Sequence, residues 1–401
     1  MKNKYSLAIQ GCKEYRKDEI KQVLQRCFSL IGGLEKFIEK GKSICIKPNI
    51  LMPSSPGQAI ITHPVFIEAV VELILERTGE PENIVVADSF SPVVPFTKKG
   101  IDKVYKETGI DEISKRTGCR LNYSTEYTTL SNPKGKFLKK IEVIQSVIES
   151  DIIINLPKFK THGLTGITGA VKNMFGVVPG FTKVGYHLRF EDLIDFAGML
   201  LDLVGLVKPA LNIMDGILGL EGDGPGRSGT PRKIGLVVVS DDAMAMDMVI
   251  GKLSGLAEEL NPFLEAYNKR QENGFDWDDV MIMGKDLQKT IIDGFELPRT
   301  VGQKKLIQNS FISRHIMPFA RNALNPYPGV DSQKCDGCMT CKDICPRKII
   351  EYNGRKVIVD RAKCIRCFCC SEMCPKGALE PRYSFIADFT LNRMGFGGKK
   401  K

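Results

Sequence analysis

Eight cysteines near the C-terminus have a spacing that is typical of iron–sulfur ligation. They lie in two segments, CDGCMTCKDICP from Cys335 and CIRCFCCSEMCP from Cys364, and corresponding cysteines are 29 residues apart. Each segment contains the pattern C-x2-C-x2-C-x3-C-P, in which three thiolates bind one cluster and the fourth cysteine reaches the other cluster. The duplicated pattern therefore predicts two [4Fe–4S] clusters per chain.

The pattern also assigns each cysteine to a cluster, because the last cysteine of each unit crosses over. The first predicted ligand set is Cys335, Cys338, Cys341 and Cys374. The second predicted ligand set is Cys364, Cys367, Cys370 and Cys345. Zinc is the alternative metal for paired C-x2-C arms. A third cysteine at the same step and a following proline, each occurring twice, favour iron–sulfur clusters instead.

The remaining cysteines have no spacing that indicates a site. They are Cys12, Cys27, Cys45, Cys119 and Cys369, the last of which lies beside the predicted ligand Cys370. The first residues of the chain do not have the pattern of an export signal, so buried thiols in a reducing cytoplasm are the simplest interpretation. The cysteines therefore predict metal binding rather than disulfides, and a cytoplasmic location.

The segment from residue 331 to residue 380 resembles the bacterial two-cluster ferredoxins, and every ligand position of that family is matched. Between its two units, Asn353-Gly354 predicts a turn that joins two short strands. The resemblance implies a small α+β module that passes electrons, with a purely structural module as the alternative. It also implies a redox partner protein of the ferredoxin or flavodoxin type.

A glycine-rich stretch in the middle of the chain carries a second set of residues that could do chemistry. The stretch THGLTGITGAVKNMFGVVPG contains His162 and Lys172, and His187 follows soon after it. Glycine lets the backbone approach a ligand closely, histidine exchanges protons near neutral pH, and lysine binds anions. We therefore predict that these three residues form a catalytic site. The alternative is that both histidines are hydrogen-bonded structural residues.

Further polar residues are expected around the same site. Two more lysines precede the stretch and a third follows it, which together with Lys172 predicts an electropositive pocket for a carboxylate or a phosphate. The predicted binding residues are Lys158, Lys160, Asn173, Asp88 and Asp215, with Lys183 nearby. Their spacing fixes no metal geometry, so the identity of any additional small-molecule or metal cofactor is left open.

These candidate residues need a scaffold, and the first 300 residues supply alternating strand and helix patterns. The apolar runs SICIKPNI, NIVVADSF, DIIINLPKF, ALNIMDGI and KIGLVVVSDD are typical of buried parallel strands. Helical patterns such as HPVFIEAVVELILERTGEP lie between them. We therefore predict a layered α/β domain with a largely parallel sheet, in one or two lobes. Polar residues at the carboxyl ends of its strands are expected to share a cleft.

The predicted organisation has four parts. The α/β domain covers residues 1–300, and a linker covers residues 301–330. The ferredoxin-like module covers residues 331–380, and a basic tail covers residues 381–401. Apolar residues recur at helical spacing in the linker, which predicts a helix that packs across the two domains.

Composition excludes several classes of function. The chain has 401 residues and a formal net charge of +10, but its basic residues are scattered and it contains a single tryptophan. A nucleic-acid-binding surface would show a basic stripe with interleaved aromatic residues, so we predict no nucleic-acid partner. The apolar runs are shorter than the roughly 20 residues that a membrane-spanning helix needs. We therefore predict no transmembrane segment.

Several short motifs of the large domain resemble one known family. They are KPN, THP, NLPKFKTH, TGAVKNMFG, DGILGLEGDGP and SDD, and together they look like the domain of unknown function 362 (DUF362) across about residues 1–300. This family often carries the same ferredoxin module. The resemblance implies an iron–sulfur protein and leaves the reaction open.

A shorter stretch resembles a second family, the nickel-pincer lactate racemases. The order of His162, a glycine-rich turn, Lys172 and His187 is similar to theirs. In those enzymes the corresponding residues hold a modified nicotinic-acid cofactor and relay a proton. The surrounding sequence departs from the racemase pattern, so neither the nickel nor the reaction is carried over.

Two functions fit these patterns. In the first, the protein is an oxidoreductase in which the two clusters exchange electrons with a small anionic substrate or cofactor bound in the α/β domain. In the second, it is a ferredoxin-type carrier or adaptor whose large domain binds a partner or a ligand without catalysis. The patterns leave open the substrate, the direction of electron flow and the oligomeric state.

Overall fold

The computed structural model of the chain describes residues 4–271, 274–301, 326–354 and 357–383. Within these ranges the strands are β1 (Tyr5–Gly11), β2 (Ile44–Pro48), β3 (Ile84–Val86), β4 (Arg120–Leu121), β5 (Tyr127–Ser131), β6 (Lys140–Ile144), β7 (Ile152–Leu156), β8 (Lys158–His162), β9 (Gly166–Ile167), β10 (Leu211–Gly222), β11 (Gly229–Ser240), β12 (Val280–Gly284), β13 (Tyr327–Val330), β14 (Ile350–Tyr352), β15 (Val357–Val359) and β16 (Leu379–Arg382).

The helices of the same ranges alternate with these strands over most of the chain. They are α1 (Lys17–Leu30), α2 (Pro64–Thr78), α3 (Lys98–Thr108), α4 (Asp111–Thr117), α5 (Gln145–Ile148), α6 (Gly169–Asn173), α7 (Gly180–Arg189), α8 (Leu193–Val207), α9 (Ala243–Leu253), α10 (Pro262–Asn268), α11 (Thr340–Ile344) and α12 (Cys369–Glu372). None of these helices is both long enough and apolar enough to cross a membrane.

The large domain is built on one mixed sheet. Its strand order is β12-β1-β11-β10-β7-β2-β3-β4, and β8 lies beside β10 and carries β9. The pairs β2–β3, β2–β7, β3–β4, β7–β10 and β8–β10 are all parallel. The carboxyl ends of β2, β3 and β8 therefore lie along the same edge of the sheet. The prediction of a layered α/β domain with a largely parallel sheet is confirmed.

One run that was predicted to be a parallel strand, β11, is antiparallel to both of its neighbours. Strands β10 and β11 pair antiparallel over most of their length, and β11 is also antiparallel to β1. Only residues 223–228 separate β10 from β11, whereas a parallel connection needs about a dozen residues or more. An apolar run shows that a strand is buried but does not show its direction.

The sheet separates two hydrophobic layers. Along β2, Ile44 and Ile46 point into one cluster and Cys45 points into the other, as expected because successive side chains of a strand face opposite sides. Helices α1 and α2 cover the first face, and α6, α8 and α9 contribute to the second. Both faces of the sheet are thus covered, as in other α/β folds with parallel strands.

The ferredoxin-like module is a small antiparallel structure with internal repetition. Strand β13 pairs with β16, and β14 pairs with β15 through the predicted hairpin. Left-handed backbone conformations recur at the same interval as the cysteines. The pairs with positive φ are Gly337 and Arg366, Met339 and Phe368, and Lys348 and Gly377. The duplication therefore extends from the sequence to the backbone.

Parts of the predicted organisation fall outside the described residues. The predicted linker helix belongs to residues 302–325, and most of the basic tail belongs to residues 384–401, and neither range is described. Residues at the end of the predicted linker, from Tyr327 to Val330, form β13 and pair with the last strand of the module.

Candidate functional site at the junction of the two domains

A cavity of about 680 Å³ lies at the carboxyl ends of β2, β3 and β8. The predicted residues that line it are Asp88, Lys160, His162, Lys172, Asn173, Lys183 and His187. Strand ends contribute the first three, and the glycine-rich stretch with α7 contributes the others.

One wall of the cavity is a network of buried lysine, aspartate and asparagine side chains. Lys47 Nζ donates to Asp88 Oδ2 at 2.7 Å, and Asn49 Nδ2 donates to Asn173 Oδ1 at 2.8 Å. Asn173 in turn donates to Asn155 Oδ1 at 2.7 Å. These contacts tie α6 to the ends of β2 and β7. Because Lys172 precedes Asn173 in α6, they also hold the backbone of Lys172 in position.

Two further lysines of the cavity each donate two hydrogen bonds to oxygen atoms of the protein. Lys160 Nζ donates to Asn49 Oδ1 and to the carbonyl oxygen of Ile60, both at 2.8 Å. Lys183 Nζ donates to Ser89 Oγ at 2.7 Å and to the carbonyl oxygen of Phe90. Burial disfavours the charged form of an amine, and it lowers the pKa of both Lys160 and Lys183 to about 7.

Lys172 differs from the other lysines of the cavity. Its ammonium lies 4.6 Å from the centre of the Phe175 ring and 5.7 Å from that of Phe196. Within the described ranges its Nζ has no hydrogen-bond acceptor, although burial lowers its pKa. Aromatic ring faces stabilise a cation without using its hydrogen bonds. Lys172 therefore keeps all three donors for a ligand.

The helix that carries Lys172 begins on a buried carboxylate. Asp247 accepts hydrogen bonds from the backbone amides of Ala170 and Val171, the second at 3.1 Å. A carboxylate at this position satisfies amides that have no partner within the helix. Burial raises the pKa of Asp247 to about 8.

Two glycines of the stretch are explained by close packing at this point. Gly169 has a φ of +58°, and a β-carbon on it would lie 2.2 Å from Asp247 Oδ1. A β-carbon on Gly176 would lie 2.4 Å from Lys47 Nζ. Any larger residue at either position would push apart the groups that hold the cavity wall.

The two histidines of the prediction have different surroundings. His162 Nδ1 accepts from the backbone amides of Leu164 at 3.1 Å and Thr165 at 3.3 Å. The neutral ring therefore carries its proton on Nε2, which lies 3.3 Å from Glu372 Oε1. Burial, followed by nearby Lys172, holds the pKa of His162 well below its usual value. His187 stacks on Phe196 with ring centres 4.6 Å apart.

Two of the predicted binding residues lie outside the cavity. Lys158 and Asp215 are fully buried and form an ion pair of 2.7 Å. Tyr15 donates its hydroxyl to the same carboxylate at 2.8 Å, and the backbone amide of His63 donates to it at 3.0 Å. Both charges are thus satisfied by the protein, because these strand-end side chains turn toward α1 and α2 and away from the cavity.

The opposite wall comes from the ferredoxin-like module, which was not foreseen from the sequence. Ile344, Cys369, Glu372 and Met373 all line the cavity. A β-carbon on Gly226, in the loop between β10 and β11, would lie 2.4 Å from the carbonyl oxygen of Glu372. The one signal in the sequence was Cys369, a ninth cysteine in the module that the ligand pattern does not use.

Three buried oxygens of the cavity lining have no hydrogen-bond partner within the part of the chain that the structure describes. They are Ser91 Oγ, Thr168 Oγ1 and Glu372 Oε1. The contact of Glu372 with His162 is close, but it does not have the angles of a hydrogen bond. Buried polar groups are almost always satisfied by protein, water or a ligand. The three oxygens are therefore candidates for hydrogen bonds to water or to a bound molecule.

The cysteines of the second predicted set border one small cavity, which is lined by Cys345, Cys364, Cys367 and Cys370. In the first predicted set, burial raises the pKa of Cys341 to about 11, and the nearby thiols of Cys374, Cys335 and Cys338 add to the rise. Backbone amides point at sulfur in both sets, from Ala378 to Cys374 and from Arg366 to Cys364. Among the described residues, no three His, Cys, Asp or Glu side chains converge on a single-ion position.

Comparison with known proteins identifies the family. The model described as "Domain of unknown function (DUF362)" matches residues 44–252, which is just over half of the chain. The chain belongs to the DUF362 family. A second model, described as "4Fe-4S dicluster domain", matches residues 327–375. This DUF362 protein therefore carries an iron–sulfur ferredoxin-like domain, as the spacing of its cysteines predicted.

Two known proteins are similar to this chain, one in sequence and one in structure. A thylakoid-associated protein of Synechocystis sp. is 27% identical over 333 residues, covering 81% of the DUF362 chain and 98% of the relative. The lactate racemase apoprotein from Thermoanaerobacterium thermosaccharolyticum superposes with a TM-score of 0.38 and 13% identity. That superposition covers 63% of this chain and 57% of the racemase, so the chain spans little more than half of that enzyme.

Proposed function

We propose that this DUF362 protein is an iron–sulfur oxidoreductase in which two [4Fe–4S] clusters exchange electrons with a small anionic substrate or cofactor in the 680 Å³ cavity. One observation carries the proposal. The cavity wall contains Cys369, Ile344 and Met373, and each of these directly precedes a predicted cluster ligand in the chain. Consecutive Cα atoms are about 3.8 Å apart, so each of these three ligands is bonded directly to a residue that borders the cavity.

The side chains of the cavity have separate roles in this proposal. The clusters supply or accept electrons singly. Lys172 binds the anionic group, and Lys160 and Lys183 add positive charge around it. His162 carries a proton on Nε2 at the cavity wall, where it can donate a hydrogen bond to the bound molecule. The module forms one wall of the cavity and reduces its contact with water, which strengthens these interactions.

Exposure of the cysteines suggests where electrons enter or leave the module. Each predicted set has two buried cysteines, but the first set contains Cys338, which is exposed, whereas the other two cysteines of the second set are half-buried. Of the three cavity-lining residues that precede a ligand, Ile344 and Cys369 precede ligands of the second set, and Met373 precedes a ligand of the first. We propose that a redox partner of the ferredoxin or flavodoxin type docks beside the first set, and that the protein works in the cytoplasm.

Rapid mixing tests this function directly. The full-length chain, purified and reduced without oxygen, is mixed with 2-oxo, 2-enoic and aromatic carboxylates, and recovery of the visible cluster absorbance is followed. We expect at least one of these classes to reoxidise the clusters, and Lys172→Met to slow that reoxidation at least tenfold.

Lys252→Met is the matched control for this experiment. Lys252 also lies over an aromatic ring, 4.7 Å from the centre of Trp277, but it is outside the cavity. Its replacement is expected to leave the rate unchanged. If no anion reoxidises the clusters, or if both lysine variants behave like the parent protein, the carrier or adaptor function replaces this proposal.

A further inference from the structure

The lysine contacts of the cavity show how much negative charge it can bind. Lys47 is occupied by Asp88, Asn173 and the carbonyl oxygen of Pro48. Lys160 and Lys183 each give two of their three donors to protein oxygens. Lys172 is the one lysine of the described cavity lining with no such contact. A phosphate dianion is best held by several free donors, whereas a single free ammonium suits one carboxylate.

Apolar side chains form a large part of the remaining lining. Ile50, Leu51, Phe90, Phe175, Val184 and Met373 all border the cavity. Burial of apolar ligand surface against such a wall contributes about 25 cal/mol for each Å². A small ion in water would leave this surface without a partner. The occupant should therefore have an apolar body as well as a charged head.

The orphaned oxygens specify a third property of the occupant. Glu372 Oε1 is an acceptor, and the hydroxyls of Ser91 and Thr168 can both donate and accept. All three residues are more than nine-tenths buried, with exposures of 8%, 3% and 3%. An unsatisfied buried polar atom costs about 1–3 kcal/mol. An occupant with its own hydrogen-bond donor would remove this cost.

We propose that the cavity is selective for a monocarboxylate that has an aromatic or bulky aliphatic body and carries a hydroxyl group. The carboxylate binds the ammonium of Lys172, the body packs against the apolar wall, and the hydroxyl bonds to the unsatisfied oxygens. This inference rests on the proposed function, because it names the class of molecule that the same cavity takes.

Four probe molecules separate the three properties. The first, 4-hydroxyphenylacetate, has all of them, and phenylacetate lacks only the hydroxyl. The third, 4-methylphenol, lacks the carboxylate, and inorganic phosphate lacks the apolar body.

Binding is measured by anaerobic titration calorimetry on the full-length chain with its clusters. We expect 4-hydroxyphenylacetate to bind about tenfold more tightly than phenylacetate, since one net hydrogen bond contributes about 1 kcal/mol or more. We expect 4-methylphenol to bind more weakly still, and phosphate not to compete.

Variants assign each preference to a side chain. Lys172→Met should weaken both carboxylates at least tenfold and leave 4-methylphenol unchanged, whereas Lys252→Met should change nothing. Thr168→Val keeps the shape of the side chain and removes one unsatisfied hydroxyl, so it should reduce the preference for the hydroxylated acid. The inference is overturned if phosphate binds more tightly than the carboxylates, if the hydroxyl makes no difference, or if Lys172→Met binds like the parent protein.

Calorimetry needs no electron transfer, so the two proposals can fail separately. If the predicted selectivity is found but bound carboxylates never change the reoxidation of the clusters, the redox function fails and the selectivity stands. If no probe binds while other compounds still reoxidise the clusters in a manner that depends on Lys172, the selectivity fails and the redox function stands.

Discussion

Buried lysines make the charge of the cavity sensitive to pH. Lys160 and Lys183 both have a pKa near 7, chiefly because burial disfavours their charged forms. Asp88 and Glu372 partly offset that effect, while the neighbouring lysines add to it. Near neutral pH the two lysines are therefore close to half-charged.

The affinity of the cavity for an anion should fall as the pH rises through about 7. Below that pH both lysines are charged, and above it both are neutral, so binding of 4-hydroxyphenylacetate should weaken several-fold between about pH 6 and pH 8. Calorimetry across this range measures the effect. Lys183→Met should flatten the profile, and an affinity that rises with pH would contradict the assignment.

Cys369 and Cys370 are adjacent, but only the second is assigned to a cluster. Cys370 lines the cavity of the second ligand set, whereas Cys369 lines the large cavity. We expect Cys370→Ser to lower the iron content from about eight atoms per chain toward about four, and Cys369→Ser to leave it unchanged. Colorimetric iron analysis of anaerobically purified protein gives the answer. Equal loss in both variants would show that the ligand assignment is wrong.

At the scale of secondary structure, the short helix α6 is the element that positions Lys172. The carboxylate of Asp247 accepts hydrogen bonds from the first backbone amides of this helix. The helix can approach that carboxylate closely because Gly169 has no side chain. Asp247 is fully buried and held by two amides, so it cannot move aside for a larger residue.

Gly169→Ala should therefore destabilise the protein by at least about 1–2 kcal/mol, from the left-handed backbone and the contact with Asp247. Gly205→Ala is the control, because Gly205 lies in α8 with nothing within 4 Å of its missing β-carbon. That change should stabilise the protein by up to about 1 kcal/mol. Anaerobic denaturant unfolding compares the two variants, and equal effects would contradict the packing argument.

The sequence predicted the strand ends well because periodicity and burial act locally. Polar residues after apolar runs indicated where β2, β3 and β7 end, and parallel pairing brings Lys47 and Asp88 to the edge where Lys160 of β8 also lies. The predicted direction of β11 was wrong, because the apolar pattern of a buried strand is the same in either direction. Lys158 and Asp215 do not line the cavity, because they bind each other, Tyr15 and the backbone amide of His63, and no local pattern predicts these partners.

At the scale of the whole molecule, the module and the α/β domain make one site. Arg299 Nη2 lies 3.4 Å from Glu380 Oε2 and pairs with Asp223, and Ser228 Oγ donates to the carbonyl oxygen of Leu379 at 3.4 Å. Glu372 and His162 are 210 positions apart in the chain and yet 3.3 Å apart in space. No local pattern in a sequence predicts such a contact, which is why the module's part of the cavity was missed.

The α/β domain should nevertheless fold without the module. Its sheet and both hydrophobic layers are formed mainly by residues before 300, and a chain of this length buries a sufficient core. A protein ending at Thr300 is expected to be soluble, colourless and cooperative in thermal unfolding, and to lose the preference for hydroxylated carboxylates because Glu372 is absent. Aggregation or a non-cooperative transition would contradict the independence of the domain.

The most direct test of the central claim is a redox titration of the full-length protein, followed by electron paramagnetic resonance with and without saturating 4-hydroxyphenylacetate. If the cavity and the clusters form one functional unit, a bound anion makes reduction of the nearer cluster harder. The midpoint potential of the cluster held by Cys370 should then fall, while that of the cluster held by Cys338 changes less. The shift should vanish in Lys172→Met and persist in Lys252→Met. Saturating ligand that leaves both potentials unchanged would contradict the account.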